Sequence, residues 1–150
     1  MEGSTAQRWY YDACTLDDTK GTYAEMYNGH KRHSIVPFLS NLSIGEACSN
    51  DYRKKGKEAT ESFFNLLNQL DKLGVLNILH HKGLNKIFEE VMSEFELDIS
   101  DALHLATAIA NNCCNLRTID SDLYRLPSAK VKKVAAKFNV HNFVITKMSS

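Results

Sequence analysis

DISDALHLATAIANNCCNLRTIDSDL, residues 98–123, carries a helix start, a strand and a turn in one run. Asp98 precedes an apolar-periodic stretch, and Asp101 follows three residues later, the spacing of an N-cap and its N3 acid. The helix predicted from this start covers residues 97–112, and Ala102, Ala106 and Ala108 allow it to sit close to a sheet. CCNLRT, residues 113–118, reads as a strand, and IDSD as the turn after it.

Outward from this run, helices and strands keep alternating. Upstream, an amphipathic helix over residues 83–96 puts Leu84, Ile87, Phe88, Val91, Met92 and Phe95 on one face. VLNIL, residues 75–79, is a short strand candidate. Residues 45–73 are helical in period, with Gly56 placed to break them in two. Residues 34–44 read as a strand leading into that helix, with Pro37 favouring an edge or early position. RWYYDACTL, residues 8–16, reads as a buried strand ending in the turn-formers Asp17 and Asp18, and residues 17–33 as a short helix or loop. Downstream, a basic helix over residues 130–138 and a last strand over residues 140–146 complete the series. The expected class is α/β, with a mostly parallel central sheet flanked by helices in three layers. The whole of residues 1–150 is expected to form one domain.

Composition permits this and excludes other classes. With 43% hydrophobic and 24% charged residues, the chain can bury a core and is too apolar for disorder. No run approaches the roughly 20 apolar residues of a membrane span, and the N-terminus lacks a signal-peptide pattern. A cytoplasmic location is expected. Cys14, Cys48, Cys113 and Cys114 contain no C-x-x-C pair and read as buried free thiols. The histidines, including the adjacent His80 and His81, complete no zinc pattern.

The net charge of zero conceals an asymmetry. Between residues 87 and 116 stand Glu89, Glu90, Glu94, Glu96, Asp98 and Asp101, with no Lys or Arg. From residue 124 onward stand Arg125, Lys130, Lys132, Lys133, Lys137 and Lys147, with no acid. Arg53, Lys54, Lys55 and Lys57 form a second basic run. Such runs serve as solvated helix faces or as cradles for phosphates.

Ligands of open parallel sheets bind outside the carboxyl ends of the strands. Asp12 closes the first strand, Glu46 opens the helix after the second, Asp101 opens its helix, and Asp120 follows CCNLRT. Each acid has a local explanation as well. Asp12, Asp120 and Asp122 are compatible with turns, Glu46 with a helix dipole and Asp101 with a capping box. If the acids converge, their mutual repulsion calls for a hard divalent cation, Mg²⁺ or Mn²⁺, which oxygen ligands suit. Zinc would favour His and Cys, which this set of acids lacks.

Residues 98–123 resemble the C-terminal signature of PIN domains: an Asp opening an alanine-rich helix, a strand, then Thr-x-Asp. YYDACTL resembles the first strand of that family with its first acid, and LSNLSIGEACS the second strand and the helix bearing the Glu. The resemblance covers nearly the whole chain. It implies a Rossmann-like sheet and a Mg²⁺- or Mn²⁺-dependent endoribonuclease. Asp12, Glu46, Asp101 and Asp120 match the metal-binding acids, Thr118 matches the hydroxyl of Thr-x-Asp, and Asp122 lies where some members carry a further acid. Cys14 departs from the small polar residue usual two positions after the first Asp, and Trp9, Tyr10 and Tyr11 are bulkier than usual. A chain of this length is most similar to VapC-like toxin ribonucleases of VapBC pairs, which implies an RNA substrate, a small antitoxin partner and a homodimer, with no membrane association. Other classes consistent with a PIN fold are an RNA-processing nuclease that is not a toxin, a catalytically silent binding module, and a nuclease of structured DNA.

Overall fold

Side chains alternate across β1 (Gln7–Tyr11), and this alternation separates two cores. Tyr10 and Tyr11 are both fully buried, on opposite faces of the sheet. The computed structural model describes residues 6–16, 21–72, 77–78 and 84–148. Asp17, Asp18, His80, His81, Gly83 and most of the expected strand over residues 75–79 lie outside these.

The other strands are β2 (Ile35–Leu39), β3 (Asn77–Ile78), β4 (Asn115–Thr118) and β5 (Val144–Lys147). They form one sheet in the order β3-β2-β1-β4-β5, and every pairing is parallel. The helices are α1 (Thr22–Lys31), α2 (Asn41–Lys55), α3 (Lys57–Lys72), α4 (Leu84–Glu94), α5 (Ile99–Ala110), α6 (Ser121–Tyr124) and α7 (Ser128–Ala136). On the Tyr10 face the core takes Ile87 and Val91 from α4, Leu105 and Ile109 from α5, and Val131 and Val134 from α7. On the Tyr11 face it takes Met26 from α1, Ala47 from α2, and Phe63 and Leu67 from α3. The fold is therefore a three-layer α/β arrangement. Full burial of a side chain such as Leu105 or Ile109 contributes about 1.5–3 kcal/mol. Ala102, Ala106 and Ala108 are fully buried and leave room for that approach.

Several boundaries differ from those expected, each for a local reason. The first strand stops at Tyr11, because Asp12 turns the chain. Its carbonyl accepts from Thr15 N (3.0 Å) and Thr15 Oγ1 (2.7 Å), and residues Ala13–Leu16 form a 3-10 turn. The helix bearing Glu46 starts at Asn41 rather than Gly45, because Ser40 is an N-cap whose hydroxyl accepts from Ser43 N. Glu46 thus lies in the second turn, beyond the reach of a first-turn dipole effect. Pro37 sits inside β2, between two neighbouring strands, and not on an edge strand. It pairs with Trp9, while the described β3 register begins only at Phe38, so the proline avoids the two-sided part of the ladder. β5 starts late because Asn139 and Asn142 adopt positive φ, which Asn tolerates. Gly56, at φ 84°, ends α2 as expected.

The charge asymmetry is partly internal. Lys137 Nζ lies 2.9 Å from Glu90 Oε2, and Lys130 Nζ lies 3.6 Å from Glu94 Oε2. Two bases of the C-terminal run therefore strap α7 to the acids of α4, and are not a free phosphate cradle.

Candidate metal centre

Strand order reverses between β1 and β4, and open α/β sheets bind ligands at such a point, outside the carboxyl ends. Asp12 leaves β1 there and Thr118 ends β4 there. Asp12 is buried and its carboxylate is held on both oxygens. Oδ1 accepts from Ala13 N at 2.7 Å. Oδ2 accepts from Thr118 Oγ1 at 2.9 Å and from Cys14 Sγ at 3.2 Å. Thr118 Oγ1 in turn accepts from Asp120 N at 2.9 Å. One buried hydroxyl thus ties the side chain of Asp12 to the backbone of Asp120.

The four predicted acids fall into two groups. Ligand atoms of Asp12, Glu46 and His104 lie within 4.8 Å of one another, and so do those of Asp101, Asp120 and Asp122. The groups feel each other electrostatically. Burial first, and then the charges of Asp120, Asp98, Asp12 and Asp122, push the Asp101 carboxyl up to about 7. Asp101 also keeps its helical role, since its N–H donates to Asp98 Oδ1 at 2.8 Å. Asp120 caps α6 by accepting from Asp122 N at 2.9 Å, while the Asp122 side chain is exposed. The local explanations and the convergence therefore coexist in the same residues.

His104 is the site residue that sequence reading passed over. It is almost fully buried on α5, three residues after Asp101, and its Nε2 reaches Glu46 Oε1 at 2.5 Å and Asp12 Oδ1 at 3.3 Å. Glu46 Oε2 accepts from Ser100 Oγ at 2.6 Å. The expectation that the acids lack His and Cys is corrected here, since both His104 and Cys14 touch Asp12. The i,i+3 spacing of an acid and a histidine on one helix was the available signal. Cys14 is a half-buried free thiol, pushed up to about 12 by burial and then by the Asp12 charge. Only Cys113 of the four is fully buried. A groove beside Glu46 is lined by Asn41, Leu42, Gly45, Ser49 and Arg53, which brings one residue of the mid-chain basic run to the site.

A family model for the PIN domain matches residues 17–129. The chain belongs to the PIN-domain family. Among solved structures, this PIN domain is similar to VapBC2 from Rickettsia felis bound to a promoter DNA fragment, with a TM-score of 0.64 at 15% identity over 95% of this chain and 100% of that one. It is also similar to VapC20 from Mycobacterium tuberculosis, a sarcin-ricin-loop-cleaving toxin, with a TM-score of 0.50 at 17% identity over 76% of this chain and 91% of that one. Comparison with curated protein sequences returns no match. No described helix is long and apolar enough to cross a membrane.

Crowded carboxylates at the switch point of a PIN fold fit a divalent cation, and Asp101 makes the fit measurable. Its carboxyl holds a proton in the folded chain at pH values where the unfolded chain, near 3.8, has lost it. Stability from this group is therefore full in acid and declines as pH rises from about 4 to about 7. In EDTA, the melting temperature is expected to fall between pH 5 and 8 by roughly 4–8 °C more in the wild type than in Asp101→Asn, on the order of 2 kcal/mol. Adding Mn²⁺ at pH 8 should restore the loss in the wild type. Parallel pH profiles for the two proteins would refute the crowding.

Proposed function

We propose that this PIN domain is a Mg²⁺- or Mn²⁺-dependent endoribonuclease, the toxin of a VapBC-type pair, acting in the cytoplasm. One observation carries the reading: two neighbouring groups, one with Asp12 and Glu46 and one with Asp101 and Asp120, lie at the carboxyl end of the sheet, beside a groove that Arg53 lines. In this reading Asp12, Glu46, Asp101 and Asp120 hold the cation, and Asp122 is an outer acid. The cation supplies a water of lowered pKa and charge stabilisation at the phosphate. Thr118 and Ala13 N fix the Asp12 carboxylate, so its oxygens need no reorganisation when RNA arrives. Arg53, exposed on α2, meets the phosphate backbone. The substrate class rests on the likeness to VapC20 and on family membership. A small antitoxin and a second copy of the chain are the partners this reading implies.

The test is cleavage of structured RNAs, including a sarcin-ricin-loop fragment and tRNA, by the purified full chain. Internal cuts are expected with Mg²⁺ or Mn²⁺ and none with EDTA. Cleavage that persists in EDTA, or no cleavage of any RNA by a chain shown to bind Mn²⁺, would overturn the proposal.

A further inference from the structure

His104 offers a nitrogen atom where the site reading so far uses only oxygens. Its side chain is 1% exposed, and Nε2 faces Glu46 Oε1 and Asp12 Oδ1. Two electron-rich atoms 2.5 Å apart need a positive charge between them, either a proton or a metal ion.

The far side of the ring meets a buried hydroxyl cluster. Nδ1 lies 2.6 Å from the Tyr10 hydroxyl. That hydroxyl also meets Ser40 Oγ at 2.7 Å and Ser43 Oγ at 3.0 Å, and the two serine hydroxyls lie 3.3 Å apart. Ser43 donates its only hydrogen to the Tyr11 carbonyl at 3.1 Å. The Tyr10 oxygen can accept from Nδ1–H while its own O–H turns to Ser43, so this cluster accommodates the ring hydrogen on Nδ1.

With the ring hydrogen on Nδ1, Nε2 aims its lone pair between two carboxylates. We infer that His104 Nε2 is a ligand of the cation held by Asp12 and Glu46, resting on the cation-dependent reading above. Ligands about 2.1 Å from one ion and at right angles stand roughly 3 Å apart, close to the 3.3 Å between Nε2 and Asp12 Oδ1; the 2.5 Å between Nε2 and Glu46 Oε1 is a hydrogen-bond distance, and a cation entering there would take the place of the proton and widen it. The Tyr10 hydroxyl is the outer partner that metal-bound histidines use to fix ring orientation. An imidazole among carboxylates shifts preference from Mg²⁺ towards transition cations, so Mn²⁺ is expected to bind at least about 10-fold more tightly than Mg²⁺.

The experiment loads the full chain with Mn²⁺ alone and reads its ligands by pulsed electron paramagnetic resonance. The wild type should show coupling to ¹⁴N, replaced by ¹⁵N coupling when histidine is ¹⁵N-labelled, and His104→Gln should lose it. Tyr10→Phe keeps the ligand and removes its outer partner. It should retain the nitrogen signal while calorimetry shows Mn²⁺ binding weakened by about 10- to 100-fold. Bound Mn²⁺ without nitrogen coupling in the wild type, or coupling that survives in His104→Gln, overturns the role of His104 and leaves the acidic site standing. A chain that binds no Mn²⁺ overturns both.

Discussion

Asp12→Asn is expected to lower cation-dependent RNA cleavage by about 10³-fold or more while leaving the chain folded. The substitution removes a buried negative charge that belongs to the Asp12–Glu46–His104 group and acts on Asp101 in the other. No neighbouring acid replaces it, since Glu46 approaches His104 from α2 and Asp101 belongs with Asp120. The fold should survive because an amide can meet the same contacts. Its oxygen accepts from Ala13 N, and its NH₂ donates to Thr118 Oγ1, whose hydrogen then turns elsewhere. A stability cost of about 1 kcal/mol is expected from this exchange. Cleavage rates and melting temperature measured on one preparation separate the effects. Near-wild-type cleavage by a folded Asp12→Asn protein would remove Asp12 from the catalytic set. In cells, wild-type expression should arrest growth and Asp12→Asn should relieve the arrest. Equal growth of the two strains would favour a processing nuclease over a toxin.

How much of the molecule is legible in its sequence follows the range of the interactions involved. Asp98 and Asp101 were legible because an N-cap and its N3 acid act within one helical turn. Their helix and the strand after it define the sheet edge on which Asp120 falls. Glu46 was placed on the right helix but in the wrong turn, because the apolar residues up to Ile44 mask the Ser40 cap. His104 was invisible for a different reason. A lone histidine on an apolar face reads as a core residue, and its partners Tyr10, Asp12 and Glu46 are distant in sequence. The bulk of Trp9, Tyr10 and Tyr11 had no local meaning either. Tyr10 reaches the His104 ring, Tyr11 donates to Glu25 at 2.8 Å, and the Arg117 guanidinium sits 5.4 Å from the Trp9 ring centroid. The charge runs leave two readings open, a solvated face or a phosphate cradle, because sequence separates α4 from α7; packing joins Glu90 to Lys137 and Glu94 to Lys130 on an exposed face.

The largest stability effect is expected at Arg117, whose backbone carries the platform on which Asp12 sits. Arg117 O accepts from Asp12 N at 3.1 Å, and Thr118, which holds the Asp12 carboxylate, is the next residue. The side chain points away from the site and joins three elements. It donates to both oxygens of Glu25 on α1, at 2.9 and 2.5 Å, and to Thr146 Oγ1 and the Lys147 carbonyl on β5, at 3.1 and 3.2 Å. The pair is largely shielded, with 15% of the Arg117 and 24% of the Glu25 side chain exposed. Removing one partner of such a pair strands the other charge, which costs about 3 kcal/mol or more. Arg117→Leu should therefore lower the melting temperature by roughly 6–12 °C. Glu25→Gln placed in the same chain should return about 1 kcal/mol, because the stranded charge is gone and Tyr11 still has an acceptor. The double-mutant cycle decides between a shielded pair and a surface one. A single-variant change within about 2 °C, with no coupling in the cycle, would make it a surface pair of little consequence. Well below the melting point, cleavage per folded molecule should stay within a few-fold of wild type, since Arg117 steadies the site through its backbone and its side chain bonds to none of the clustered acids.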